Sequence, residues 1–275
     1  MSFHAAQFKR LERAGYNRIG PRYLAAAGAR RELADALLAA ACLAPGQRVL
    51  DLASGPGLLA RRARHVVGDG GLALASDISE GQLACCPDLA RVAADGEALP
   101  FADRSFDRVL CGLGLMFFPD DQAALRELHR VLRPGGLLAL SVWGRAEEVP
   151  LVETALSCMR RLLPPPKVAR PSIFRFGDAE ELTRRLAGDS VARPLGNFRD
   201  VEIRPCRLET CFGDAAAYWQ GFLDLAGGAA ESLSRLRAET RQALVAAVAE
   251  DLARHAVPGG YRLTSTVLVA TARPV

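Results

Sequence analysis

A chain of 275 residues, half of them hydrophobic, can bury a sizeable core and fold as one or two domains. Its formal net charge of +4 is carried almost wholly by arginine, Lys9 and Lys167 being the only lysines, and no run of basic residues offers a nucleic-acid surface. No stretch is long and apolar enough for a membrane span, the opening MSFHAAQFKRLER lacks the apolar centre of a secretory leader, and seven irregularly spaced cysteines fit neither a disulfide framework nor a zinc pattern, so the expectation is a cytoplasmic protein with reduced thiols.

Residues 1–44 read as helical, with Leu33, Leu37, Leu38 and Ala41 on one face and Pro45-Gly46 as the stop. A strand at Val49–Leu52, a helix at Leu58–Val67 and a strand at Leu72–Ser76 follow, then a short helix near Gly81–Cys85 and a brief strand at Ala90–Ala93. Asp107–Cys111 is strand-like, Asp121–Leu132 is an amphipathic helix stopped by Pro134-Gly135-Gly136, and Leu137–Trp143 is another strand. Strands separated by helices predict a parallel sheet covered on both faces. After Gly144, VPLVETALSCMRRLL reads as a helix ended by Pro164-Pro165-Pro166, and Asp178 followed by Glu181 as a capping box. Val201–Glu209 alternates like a strand, Leu233 to Leu252 carry a long amphipathic helix, and Ser265–Arg273 closes the sheet. These elements divide into an N-terminal helical lid over 1–44, a core over 45–145, a cap over 146–262 that includes late core elements, and a closing strand over 263–275.

The first strand runs straight into a glycine turn, VLDLASGPGLLA. Gly55, Gly57 and Ala60 match the dinucleotide fingerprint, and Asp77 lies 22 residues after Gly55, at the offset of a ribose-binding acid. On those residues alone a nicotinamide-dependent dehydrogenase is a fair reading. Asp51 argues against it: a carboxylate at the mouth of the loop repels the pyrophosphate that the helix N-terminus would hold. It suits a ligand with positive charge and no phosphate, such as S-adenosylmethionine, with Asp77 accepting from the ribose hydroxyls. Asp95, after the third strand, is placed to accept from the adenine amine, and the Ala98 N–H to donate to a ring nitrogen.

VLDLASGPG, SDIS, ADGEALPFADRSFDRVL and ALRELHRVLRPGGLLALSVWG occur in the order and wording of class I S-adenosylmethionine-dependent methyltransferases, and most resemble the ubiquinone/menaquinone-biosynthesis subgroup. The resemblance spans residues 45–145, with FRFGDAEEL and the closing strand as fainter extensions. It implies an α/β, Rossmann-like, seven-stranded and mostly parallel sheet whose last strand is antiparallel, with helices on both faces and a helical cap. It also implies S-adenosyl-L-methionine as cofactor, held by Asp51, Ala53, Ser54, Gly55, Asp77, Ile78, Asp95, Gly96, Ala98 and the backbone near Cys111, with Tyr16 on a lid over the sulfonium.

The sequence departs from the family in three places. Ala53 stands where the first loop glycine is usual, the segment between Asp77 and Asp95 is short, and LGLMFFPD offers Phe117 and Phe118 where many relatives carry a histidine. No catalytic residue is named, because no general base is evident, and no metal is expected. Cys85-Cys86 does not converge as an arsenic site would, and buried thiols are the plainer reading. Trp143, Phe174, Phe176 and Trp219 are candidates for an acceptor pocket. The predicted activity is methylation of a small molecule at O, N, S or C in secondary metabolism, with three alternatives: quinone C-methylation, a non-methylating step such as cyclisation with the cofactor kept as structure, and a non-catalytic binding module. The expected partner is a small-molecule substrate, with no nucleic acid and no membrane insertion; a homodimer is left open.

Overall fold

The computed structural model describes residues 4–188, 198–233 and 236–275. Two helices open the chain, α1 (Ala5–Ala25) and α2 (Arg31–Ala41), joined by one tight helical turn over Ala26–Arg30. Cys42 ends α2 with a φ of 47°, three residues before the Pro45-Gly46 stop that the sequence suggests.

The alternating core then follows as β1 (Arg48–Leu52), α3 (Leu58–Val67), β2 (Leu72–Asp77), α4 (Glu80–Leu83), β3 (Ala90–Ala93), β4 (Phe106–Gly112), α5 (Asp121–Val131) and β5 (Leu132–Trp143). Most bounds fall within two residues of those read from the sequence. The exception is β5, which begins at Leu132 and not Leu137. Pro134 disfavours helix for the residue before it, so the chain turns extended at once and crosses the Pro-Gly-Gly step as a bulge opposite Phe106–Arg108.

The remainder is α6 (Pro150–Leu162), α7 (Ala179–Ala187), β6 (Phe198–Phe212), α8 (Ala215–Leu225), α9 (Gly227–Leu233), α10 (Ala238–Leu252), β7 (Ala256–Val257) and β8 (Gly260–Pro274). Asp178 caps α7, its Oδ1 accepting from the Glu180 and Glu181 N–H groups, but the expected capping box is only half formed, the Glu181 side chain pairing with Arg184 and Arg185. The single helix expected over Leu233–Leu252 is broken: α9 ends at Leu233, residues 234 and 235 lie outside the described ones, and α10 starts at Ala238. The helix α8 has no counterpart in the sequence reading, because AAAYWQGFLDL is apolar on most sides and shows little helical periodicity.

Seven strands lie in the order β3-β2-β1-β4-β5-β8-β6, with the two-residue β7 paired to β8. The pairs from β3 to β5 are parallel, and β8 is antiparallel to both of its neighbours. Helices flank the sheet, as the α/β Rossmann-like class requires. Along the chain the strand order reverses between β1 and β4, and the crevice at the carboxyl ends of such strands is where open α/β sheets bind ligands. Register places Asp51 of β1 opposite Ala75 of β2 and Leu110 of β4, all near those carboxyl ends. No helix among the described residues is long and apolar enough to cross a membrane.

Helix α1 lies against α9 and α4 through small residues. A Cβ on Gly15 would sit 2.3 Å from the Gly227 carbonyl oxygen, and one on Gly20 would sit 2.7 Å from that of Gly81. Backbone meets backbone there, so a methyl group cannot be absorbed by a side-chain rotation. Gly15→Ala is expected to destabilise the protein by about 1–3 kcal/mol despite the better helix propensity of alanine. Gly28→Ala, with nothing within 4 Å of the added methyl, should be neutral or stabilising. Urea unfolding of the two variants checks this, and equal behaviour would contradict close packing of α1 on α9.

Candidate active site

Three cavities meet at the carboxyl ends of β1 and β4. A cleft of about 100 Å³ runs beside Asp77, Ile78, Asp95 and Gly96. A smaller cavity of about 60 Å³ lies at the glycine turn, against Asp51, Ser54, Pro56 and Arg30. A third, about 540 Å³ and mostly apolar, opens among α1, α6, β6 and α8.

The glycine turn is built from residues forced to positive φ: Ala53 at 53°, Gly55 at 54° and Gly57 at 77°. Only glycine adopts this region freely, so Ala53 stores strain that a glycine would not. The turn aims the N-terminus of α3 back at β1. Asp51 takes advantage of this: its Oδ2 accepts from the Ala60 N–H at 2.8 Å, while its Oδ1 is buried with no partner. The residue is 1% exposed. Burial, aided by the nearby Asp77 charge, pushes the Asp51 carboxyl up to about 8 against the opposing pull of the Ala60 N–H.

Asp77, at the end of β2, ties the turn to the next loop. Its Oδ2 accepts from the Gly55 N–H and its Oδ1 from the Ser79 N–H, both at 2.8 Å. Burial raises its pKa, and these N–H groups oppose the rise. A carboxylate oxygen accepts more than one bond, and Asp77 lines the cleft, so it keeps acceptor capacity for a ligand. Ser79 also caps the short α4 and donates its hydroxyl to Asn17 Oδ1 on α1.

Asp95 is engaged differently from the sequence expectation. Lys9 of α1 places its Nζ 2.6 Å from Asp95 Oδ2 and 2.6 Å from Glu97 Oε2, and the Glu97 N–H donates to Asp95 Oδ1. Neither Lys9 nor Glu97 was singled out in the sequence, since a single lysine on an amphipathic helix carries no motif.

Ala98 departs further. Its N–H, expected to face an adenine nitrogen, donates to the Asp95 carbonyl at 3.0 Å, and the residue is exposed and outside all three cavities. The Cys111 side chain is fully buried in the core, burial pushing the thiol up to about 12, while the backbone that follows it, Gly112, Leu113 and Gly114, lines the cleft. Ser54 lines the small cavity and not the cleft.

Leu113 borders all three cavities with a φ of 53°, held by its N–H donating to both the carbonyl and the hydroxyl of buried Ser141. Strained backbone of this kind clusters at functional sites. Sequence reading could not find it, because a leucine after a strand looks like core.

Helix α1 roofs the cleft. Tyr16 lines both the cleft and the large cavity, edge-on to Tyr23 and to Phe117 with ring centroids 5.9 Å apart in each case. Glu12, one turn earlier, borders the same two spaces; it is 6% exposed and accepts from Arg170 Nη1 at 2.7 Å. Burial raises its pKa against the pull of Arg170. Of the four aromatic candidates for an acceptor pocket, Trp143 and Phe174 line the large cavity, whereas Phe176 and Trp219 are buried in the core beside it. None of the four histidines lines these three cavities.

Residues 50–140 match a family described as Methyltransferase domain. The chain is 33% identical over 199 residues to the ubiquinone/menaquinone biosynthesis C-methyltransferase UbiE of Coxiella burnetii, an alignment covering 66% of this chain and 76% of that enzyme. Among solved structures, a Bacillus halodurans protein described as a methyltransferase superposes with a TM-score of 0.58 at 18% identity, over 88% of this chain and 98% of its own. Phosphoethanolamine N-methyltransferase 2 of Haemonchus contortus, solved with S-adenosylhomocysteine, gives 0.51 at 16% identity over 89% of this chain and 53% of its own. The strand order, the acid-bearing strand ends and these likenesses agree: the chain belongs to the class I S-adenosylmethionine-dependent methyltransferases of the UbiE type.

Proposed function

We propose that this enzyme methylates a small, largely apolar acceptor held in the 540 Å³ cavity, with the cofactor lying along the cleft and the small cavity. The observation that carries this reading is Asp51. Buried and with one oxygen unpartnered, the Asp51 carboxyl keeps its proton until a cation beside it favours ionisation, a partner that a ligand with a positive end supplies and a phosphate does not. The Asp77 carboxylate, lining the cleft, suits a pair of ribose hydroxyls, with Gly55 giving the turn close access. Ile78 and Gly96 flank the adenosine portion. Asp95 meets the adenine amine once Lys9 gives way. Ala98 and the Cys111 side chain take no part.

The bound cofactor supplies a methyl group on a sulfonium, and the chain supplies placement. Alignment of the acceptor atom with that methyl and exclusion of water account for acceleration without a motif base. The α1 roof and the segment after β4 do both: Glu12, Tyr16 and Tyr23 of α1, with Leu113 and Phe117, border both the cleft and the large cavity, and so form the passage between cofactor and acceptor. Helix α1 covers the cleft, about 100 Å³ in volume, and acts as the lid past which the cofactor enters, while α2 packs on the sheet as part of the core and the helices after β5 form the acceptor cap.

Likeness to the quinone-biosynthesis enzymes supports an aromatic acceptor. Among the described residues the exposed large hydrophobics are Leu24, Val66, Leu162 and Val275, on separate elements, which favours a compact acceptor over a quinone with a long membrane-embedded tail.

Isothermal titration with S-adenosylhomocysteine is expected to give binding in the micromolar range that Asp77→Asn weakens at least tenfold, with no heat from NAD. Binding of NAD in place of the thioether would overturn the reading. The Asp51 carboxyl is protonated in the folded free protein up to about pH 8 but ionises near 3.9 when unfolded. Between those values folding retains a proton that the unfolded chain has lost, so Asp51 contributes stability at low pH that is lost as pH rises toward 8. Asp51→Asn does not titrate. Its stability relative to wild type should therefore rise between pH 5 and 8, by at most about 1.4 kcal/mol per pH unit, as read by urea unfolding without ligand; a constant difference would contradict an orphaned carboxyl. Lys9→Met should speed both association and dissociation of S-adenosylhomocysteine several-fold in stopped-flow fluorescence, and unchanged rates would count against Lys9 as the latch of α1.

A further inference from the structure

Glu12 stands where the cleft and the large cavity meet. Among the described residues it is the only acid lining the large cavity, whose walls also carry Arg30, Arg160 and Arg170. The other ionisable groups that border both spaces are the phenols of Tyr16 and Tyr23, and burial pushes the Tyr16 phenol up, so that it keeps its proton. No histidine lines either space. If any described side chain takes a proton at this junction, it is Glu12.

The packing around Glu12 holds it there. It lies one helical turn before Tyr16 on α1, which puts the two side chains on one face. Its Oε1 accepts from Arg170 Nη1 at 2.7 Å, and Arg170 Nη2 donates to the Gly228 carbonyl at 3.2 Å, which fixes the guanidinium to the start of α9. Gly228 makes this approach possible, since a Cβ there would collide with both Glu12 Oε1 and Arg170 Nη1. Glu12 is 6% exposed, so its charge rests on one guanidinium and little water. Burial raises its pKa while Arg170 opposes the rise, and a base moved toward the working pH is the more effective one.

We propose that Glu12 is the general base of this site and that the acceptor presents a hydroxyl or amine to it. This rests on the methyltransferase reading above. As the acceptor oxygen or nitrogen bonds to the methyl carbon, the carbon–sulfur bond breaks with its electron pair left on sulfur. The acceptor's proton passes to Glu12 Oε2, because Arg170 occupies Oε1. The positive charge on sulfur and the negative charge on Glu12 are cancelled together. The proton leaves to water when the product departs.

Two probes of similar shape test this on the full chain: 1-naphthol, and 1-methoxynaphthalene, which has no proton to give. Excited 1-naphthol is a strong acid and emits in a separate naphtholate band when a base takes its proton, so the band reports proton acceptance without turnover. Protein in excess keeps the probe bound, and quenching of Trp143 in the large cavity measures the affinity of both probes. Naphthol bound to wild type is expected to show the naphtholate band. Glu12→Gln should weaken it about tenfold or more, and Glu12→Asp should restore part of it, while 1-methoxynaphthalene binds all three proteins within about twofold. Glu12→Gln combined with Arg170→Met leaves no lone buried cation and should lose the band equally. Thermal unfolding confirms that each variant is folded. The proposal is overturned if wild type binds neither probe or shows no band, or if the band persists in Glu12→Gln. It is also overturned if 1-methoxynaphthalene binding falls together with the band, which marks Glu12 as a packing residue. Failure of wild type to bind S-adenosylhomocysteine in calorimetry overturns the methyltransferase reading instead, and the band still decides whether Glu12 accepts a proton in this cavity.

Discussion

A carboxylate sealed at the end of the central strand sets the terms for this molecule. Asp51 sits on β1 between two parallel neighbours, 1% exposed, and the glycine turn brings one helix N–H to its Oδ2. The strained turn, the strand reversal beside it and the burial of Asp77 are one arrangement. Each exists because the chain must return a helix N-terminus to the strand it has just left. What the arrangement lacks is a positive partner, and a ligand with a positive end completes it.

The second constraint is that α1 belongs to two spaces at once. One end is tied to the core edge by Lys9 on Asp95 and Glu97, by Arg13 on Glu80 and by Asn17 on Ser79 and Gly81. Another face carries Glu12 to Arg170 and packs backbone against backbone on α9. Cofactor cleft and acceptor cavity therefore share a wall that is not part of the sheet. On the reading proposed here, lifting that wall opens both spaces and closing it seals both. Arg30, just after α1, borders both the small cavity and the large one.

Much of this was legible before any coordinates. The βα alternation, the turn chemistry of Gly55 and Gly57, and the strand-end positions of Asp51 and Asp77 follow from short-range rules, so the sequence places them within a residue or two. Three kinds of feature were not legible. Long-range pairs such as Lys9 with Asp95 leave no local pattern. Strained positions such as Leu113 look like ordinary core until the backbone is seen. Backbone groups satisfied within a turn, as Ala98 is by Asp95, cannot be told from free ones by residue type. The break between α9 and α10 was hidden for a related reason: leucines at helical spacing continue across it, and periodicity does not register a kink.

The central claim, that Asp51 is an unpartnered carboxyl awaiting a cation, is tested most directly by its own titration. Protein labelled with ¹³C at aspartate side-chain carboxyls gives an Asp51 resonance assignable by its loss in Asp51→Asn. In the free protein this resonance should titrate near the value of about 8 that burial imposes. With S-adenosylhomocysteine bound it should remain in its ionised position down to at least pH 6. An Asp51 signal already ionised at pH 6 without ligand, or one that the ligand leaves unmoved, would contradict the account.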